Sequence, residues 1–199
     1  CDAVEVRLDL TGLCGGEWTG LCRAIRRQGM PVILTIRDSR EGGAWRGREA
    51  DRLALYLAGL KSVSAVDMEI GAHALENLAH TAHRYGVKVV GSFHDFAGTP
   101  DLAYLQTVET RARRMGVDVV KIATMVKTPA DLARLYAVPA QAKGPICVLG
   151  MGRPGSVSRV ALPCAGSCLA YGALGRETAP GQLTCRQLAK ELLRWGARK

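Results

Sequence analysis

The sequence predicts an α/β domain built around a parallel sheet. Three observations carry this. Apolar runs rich in Val, Ile and Leu alternate with amphipathic runs along the 199 residues. The apolar runs are near-continuous rather than alternating, the pattern of strands buried on both faces. The amphipathic runs between them are long enough for crossover helices, which makes βαβ units with right-handed connections.

Seven strands are expected, at residues 4–10, 32–37, 65–70, 87–93, 117–124, 146–150 and 168–174. Each is short and bounded by Gly, Pro or Asp. Five helices are expected between and after them. Residues 48–60 place Leu53, Leu57 and Leu60 on one stripe. Residues 73–85 end at Gly86, a stop signal. Residues 100–115 open on Thr99-Pro100-Asp101 and end at Gly116. Residues 129–136 and 184–195 complete the set. No linker or shift in composition divides the chain, so one domain over 1–199 is expected. Pattern alone does not separate an open doubly wound sheet from a (β/α) barrel, because a full barrel needs eight strands and about 250 residues.

Composition excludes several classes. Hydrophobic residues are 48% and charged residues 23%, enough apolar side chains for a buried core and too many for disorder. No apolar run is long enough to span a bilayer. Cys1-Asp2-Ala3-Val4-Glu5 shows neither the basic region nor the apolar core of a signal peptide, and a start on Cys rather than Met leads us to expect a trimmed beginning. The seven cysteines lack C-x-x-C pairs and Cys/His ligand spacing, so reduced thiols in a cytoplasmic protein without a metal are expected. The net charge of +9 raises nucleic acid as a partner. However, the basic residues are scattered, and their short clusters (Arg23 to Arg27, Arg111 to Arg114) sit on helix-like stretches as solvated faces. Aromatics at 5% are too sparse for a base-stacking platform. A small anionic substrate is the better match.

Lys121 is the sharpest local anomaly. It lies inside Val117-Asp-Val-Val-Lys-Ile-Ala-Thr124, in mid-strand. A buried lysine is rare because its charged form is costly to desolvate. A snorkelling or salt-bridged lysine is the plain alternative, and flanking Val120 and Ile122 argue against it. Burial can draw a lysine from ~10.4 toward ~7–8, where the neutral amine attacks a carbonyl. A Schiff-base lysine is therefore the functional reading.

His94 stands in Ser92-Phe-His94-Asp95-Phe96, at the end of a strand and one βα unit before Lys121. Alone it would count as an ordinary polar residue. His73, His80 and His83 ride on a helix pattern and are expected at the surface. Charges also crowd other strand ends: Glu5-Val-Arg7-Leu-Asp9, Thr35-Ile-Arg37 leading to Glu41-Gly42-Gly43, and Asp67-Met-Glu69. In a buried sheet these need partners. Structural ion pairing and function are equally good readings of Asp9 and Asp67. Gly150, Gly152 and Gly155 spell a G-x-G-x-x-G after a strand. Pro154 inside the motif and the very short helix after it argue against a dinucleotide fingerprint.

Taken in order, these pieces resemble the type I 3-dehydroquinate dehydratase family. The matching pieces run from Glu5-x-Arg7-x-Asp9 through Lys121-Ile-Ala-x-Met125 and Met151-Gly with Ser158-Arg159 to Ala179-Pro180-Gly181-Gln182. The resemblance implies a TIM-type (β/α)8 barrel, here lacking the N-terminal hairpin and first βα unit, with seven strands visible. It implies cofactor-free dehydration of 3-dehydroquinate to 3-dehydroshikimate. Lys121 would form the imine. His94 would take the C2 proton and return it to the departing C1 hydroxyl, a syn elimination. Glu41 would orient His94. Arg159 would pair with the substrate carboxylate, and Glu5 and Arg37 would bind ring hydroxyls, with Arg7 supporting Glu5. Met125 and Met151 would line the pocket, and Thr178 and Gln182 would belong to a closing lid. A cytoplasmic homodimer with a small-molecule substrate, without nucleic acid or membrane, follows by analogy. Another Schiff-base barrel of the class I aldolase kind, or a catalytically silent quinate- or dehydroquinate-binding regulatory domain, are the rival readings.

Overall fold

The computed structural model describes residues 1–12, 15–175 and 179–197. Its architecture is α/β with six parallel strands in chain order: β1 (Val4–Arg7), β2 (Val32–Thr35), β3 (Ala65–Glu69), β4 (Lys88–Asp95), β5 (Val119–Met125) and β6 (Ile146–Met151). The helices are α1 (Leu8–Thr11), α2 (Glu17–Arg27), α3 (Glu49–Gly59), α4 (Leu75–Arg84), α5 (Leu102–Arg114), α6 (Pro129–Gln141), α7 (Ser158–Cys164) and α8 (Cys185–Arg194). The chain divides into two compact units. One comprises Cys1–Ser92 with Arg111–Asp118, the other Phe93–Thr110 with Val119–Lys199.

In the first unit β1 pairs with β2, β2 with β3 and β3 with β4, all parallel. Crossover helices α2, α3 and α4 join successive strands, the arrangement that parallel pairing demands. One strand face carries Leu34, Ile36, Val66, Met68 and Val89, all essentially inaccessible. Leu75, Leu78, Ala79 and Ala82 of α4 are buried as well. Each fully buried aliphatic side chain of this kind stabilises by about 1.5–3 kcal/mol. The other face carries Glu5, Thr35, Arg37, Asp67 and Glu69, because side chains alternate along a strand.

In the second unit β5 and β6 pair in parallel, with Lys121 opposite Cys147, Ala123 opposite Leu149 and Met125 opposite Met151. Helix α6 connects them. Thr128 and Asp131 form a reciprocal capping box at its start, with Pro129 in the first turn. Thr184 and Gln187 do the same for α8.

Three expectations need correction. Residues 168–174 do not form a seventh strand, and neither the count of seven strands nor the missing hairpin and βα unit is borne out. The backbone of this segment is bonded elsewhere: Cys168 N–H donates to Ile146, but Ala173 bonds with Leu183 and Cys185, across to the start of α8. Only an isolated bridge, Ala173 with Thr184, remains. Secondly, α3 buries Arg52, Tyr56 and Gly59, while of the leucine stripe Leu60 is buried, Leu53 half-buried and Leu57 exposed. The polar heads of Arg52 and Tyr56 find partners, as shown below. Thirdly, α6 runs through Pro139 to Gln141, beyond the expected end at Tyr136. Helix α2 was legible only as a basic cluster.

Candidate active site

The first unit holds a buried ionic cluster at the C-terminal ends of its strands. Arg37 donates through Nη1 to Glu69 at 3.0 Å and to Ser92 at 2.5 Å, and through Nη2 to Asp67 at 2.6 Å. Arg52 reaches Glu69 from α3 at 2.6 Å. Ser92 Oγ donates to Asp67 at 2.7 Å, and the Tyr56 hydroxyl donates to the Asp67 carbonyl at 2.6 Å. Two guanidinium groups thus face two carboxylates, and the charges balance. Burial alone would lower the Arg37 pKa, but Asp67 and Glu69 hold it charged, well above its ordinary range. Burial, with the Glu69 charge beside it, pushes the Tyr56 phenol far up. The turn after β2 is built around the same arginine. A side chain on Gly43 would place its Cβ 2.0 Å from the Arg37 carbonyl oxygen, so only glycine permits the chain to double back here. Glu41 closes the short helical turn Ser39–Glu41 and is half-buried.

Glu5 accepts a hydrogen bond from Thr35 Oγ1 at 2.8 Å. Arg7 forks onto Asp9, at 3.0 and 2.7 Å. Burial would raise the Asp9 carboxyl, yet the Arg7 fork and backbone N–H groups of Ala44 and Arg37 hold it below the usual carboxylate value. Arg7 is therefore engaged with Asp9, and Asp9 and Asp67 both serve as ion-pair partners.

The second unit presents a different environment. Lys121 is 5% exposed on β5, on the face that also carries Ala123 and Met125. Ala123, Cys147, Leu149 and Met151 form one apolar cluster, against which Val119, Met125, Leu169 and Tyr171 pack. Met125 and Met151 accordingly sit in register beside Lys121's strand face. The Lys121 Nζ lies over the face of the Tyr171 ring, 4.3 Å from its centroid. His94 stands at the end of β4 and is half-buried. Its surroundings are braced. Phe93 packs on Tyr104 with centroids 5.9 Å apart, and Asp95 accepts the N–H groups of Ala97 and Gly98. Thr99 Oγ1 donates to the Met125 carbonyl at 2.9 Å, tying the loop after His94 to the end of β5.

Arg159 opens α7 and is 1% exposed. Its Nη1 points at the Tyr171 carbonyl at 3.5 Å and its Nη2 at the Pro180 carbonyl at 3.3 Å. Both contacts are at the long end for hydrogen bonds. Gly152 N–H donates to the Pro180 carbonyl at 3.2 Å, so the Ala179-Pro180-Gly181-Gln182 piece is docked on the loop after β6. Gln182 is buried there. Thr178 lies outside the described residues. The glycines of the G-x-G-x-x-G serve packing: a Cβ on Gly155 would sit 2.6 Å from the Gly150 carbonyl carbon, and Ser158 Oγ accepts from Gly150 N–H at 2.8 Å. Among the described residues no cluster of three or more His, Cys, Asp or Glu could hold a metal ion.

Sequence reasoning missed Arg52, Tyr56 and Tyr171. The i, i+4 spacing of Arg52 and Tyr56 on α3 was a usable signal. Tyr171 had none, since it fell in a segment read as a strand. His73, His80 and His83 are exposed, as expected.

The chain is similar over residues 1–196 to the family described as type I 3-dehydroquinase. It is 37% identical over 203 residues to a 3-dehydroquinate dehydratase of Methanosarcina barkeri (strain Fusaro / DSM 804), covering 96% of this chain and 84% of the relative. It is 35% identical to the corresponding protein of Methanocella arvoryzae, covering 99% of this chain and 89% of the relative. Among solved structures, the 3-dehydroquinate dehydratase of Geobacillus kaustophilus HTA426 superimposes with a TM-score of 0.91 at 26% identity, over 100% of this chain and 82% of that one. The type I 3-dehydroquinate dehydratase of Clostridium difficile, solved with covalent modified comenic acid, gives a TM-score of 0.89 at 26% identity, over 99% and 83%. No described helix is long and apolar enough to cross a membrane.

Proposed function

Since the chain belongs to the type I 3-dehydroquinase family, we propose that Lys121 and His94 carry its reaction. The activity itself is that of a hydro-lyase of the shikimate pathway, converting 3-dehydroquinate to 3-dehydroshikimate. The observation that supports the assignment of residues is the burial of Lys121 on an apolar strand face. An amine kept from bulk water is the form of lysine suited to condense with a ketone.

In the proposed sequence Lys121 Nζ adds to the ketone and expels water, forming a cationic imine. The imine nitrogen draws electrons from the adjacent carbon, so His94 can take the C2 proton. His94 then delivers a proton to the C1 hydroxyl, which leaves as water. Hydrolysis of the imine restores the amine, and the net change is the loss of one water. Glu41 orients His94 in this scheme. Arg159 binds the substrate carboxylate, where a planar fork suits a planar anion. Glu5 and Arg37, with Arg7 in support, bind ring hydroxyls. Met125 and Met151 line the apolar side, and Thr178 and Gln182 belong to a lid over the substrate. No cofactor enters. A TIM-type (β/α)8 barrel in a single domain, a cytoplasmic location and a homodimer complete the proposal. Size-exclusion chromatography with light scattering decides the last.

Borohydride in the presence of dehydroquinate is the direct test. It should reduce the imine and leave a mass increment on Lys121, while the conjugated enone product is followed by ultraviolet absorbance. Lys121→Ala should abolish both. Turnover without an adduct would sink the Schiff-base assignment, and binding without turnover would favour a silent regulatory domain.

A further inference from the structure

We propose that Tyr171 is a positioning residue for the reactive amine, its ring face lying against Lys121 Nζ and holding the cationic nitrogen of the imine once it forms. The inference rests on the Schiff-base reading above and adds to it a specific requirement for an aromatic face at position 171.

The geometry is direct. Nζ lies 4.3 Å from the ring centroid, well inside the ~6 Å over which an aromatic quadrupole attracts a cation. The ring also packs on the apolar cluster of Ala123, Cys147, Leu149 and Met151. In such a dry setting the attraction is at its strongest. Burial disfavours any charge, and the ring face offsets part of that cost for the iminium. The iminium must stay protonated to act as an electron sink. The ring donates neither proton nor electron pair, so the atoms of the reaction balance without it.

The ring is held from several sides. Cys168 N–H donates to the Ile146 carbonyl at 2.8 Å, which anchors the segment to the start of β6. Cys147 Sγ contacts the Leu169 carbonyl at 3.4 Å. Ala173 is bonded to Leu183 and Cys185, and Cys185 Sγ reaches the Gly172 carbonyl at 3.1 Å. The Tyr171 carbonyl faces Arg159 Nη1. This explains why residues 168–174 are tethered irregular chain. Their backbone is fixed before and after Tyr171, so its side chain has little freedom to leave the amine.

The test uses borohydride trapping with dehydroquinate, because hydride reduces a protonated imine far faster than a neutral one. Tyr171→Leu should slow adduct formation and kcat by roughly 5–30-fold, the equivalent of a desolvated cation–π contact, with a smaller change in KM. Tyr171→Phe should restore most of both rates, since it keeps the ring face. Phenylalanines bearing one, two and three ring fluorines at position 171 should trap progressively more slowly. Fluorine withdraws charge from the face while barely altering shape, so a packing role would not respond. Should Tyr171→Leu fail to fold by thermal melting, the fluorinated series carries the test alone. A flat series, or a folded Tyr171→Leu that traps as fast as Tyr171→Phe, overturns the role of Tyr171 and leaves the Schiff base standing. Absence of any adduct in the unsubstituted protein overturns both.

Discussion

Arg37, just past the end of β2, and Lys121, within β5, are basic residues 3% and 5% exposed, and their surroundings differ. Arg37 is surrounded by matched acceptors. Asp67, Glu69 and Ser92 take its terminal N–H groups, and Arg52 balances the second carboxylate charge. Lys121 lies beside Ala123 and Cys147, and its amine sits over an aromatic ring face. A guanidinium stays protonated, so its burial requires counter-charges. An ammonium is a single point charge on a flexible stem, and an aromatic face is one of the surroundings that attract it. Burial thus encloses a balanced ion cluster in one unit, and in the other it encloses the amine proposed above as the reactive group.

The contrast breaks most visibly at Lys121. Lys121→Met should lower kcat by roughly 10³-fold or more, because a covalent step is lost. Its stability to urea should change little, because methionine keeps the length and packing of the lysine stem. A destabilised Lys121→Met would place the lysine in the same class as Arg37. His94→Gln should reduce kcat by roughly 10²–10⁴-fold, the range for a proton-transfer group. It should still give the borohydride adduct, since imine formation needs only the amine. An inactive variant that also fails to trap would assign His94 to imine formation as well.

Arg52→Met reverses the pattern. It strands part of the Glu69 charge in the interior, and should cost about 3 kcal/mol in urea unfolding. The loss is at the low end of the range because Arg37 and the Asp38 N–H still serve Glu69. If Arg52→Met unfolds no more readily than Lys121→Met, the cluster is not a scaffold.

The smallest effect concerns acid. Asp9 is held below its ordinary value by the Arg7 fork, against the opposing effect of burial. A carboxyl depressed in the folded state stabilises fully above its unfolded value of ~3.9. That contribution is lost as pH falls through the lower, folded value. Asp9→Asn should therefore cost about 1–2 kcal/mol at neutral pH, and the difference from the parent should shrink below about pH 4. A difference that persists to lower pH would mean the loss is one of packing rather than charge.

Much of this was legible in the chain. Six of the seven expected strands form, the first only over Val4–Arg7 because Leu8–Thr11 is helical, since near-continuous Val, Ile and Leu runs have no stable alternative to burial on both faces. The failure at residues 168–174 has a local reason. Cys168, Gly172 and Ala173 find hydrogen bonds with β6 and α8 that compete with a strand ladder. Lys121 stood out because a charged residue in an apolar strand contradicts its surroundings, and His94 stood out only by its place one βα unit before Lys121. Arg52 and Tyr56 did not, because on a helix an arginine and a tyrosine read as an ordinary polar face.

The order of apolar and polar residues determined by itself that this is a parallel α/β chain with an anomalous lysine. It also determined membership of the type I 3-dehydroquinase family, through motifs kept in sequence. Only the tertiary structure decided which charges neutralise one another, that Arg7 turns to Asp9, and that Tyr171 faces the amine. Periodicity is a property of neighbours along the chain, and it survives in one dimension. Partner choice depends on distances between residues far apart in sequence, and those exist only once the backbone has closed its hydrogen bonds.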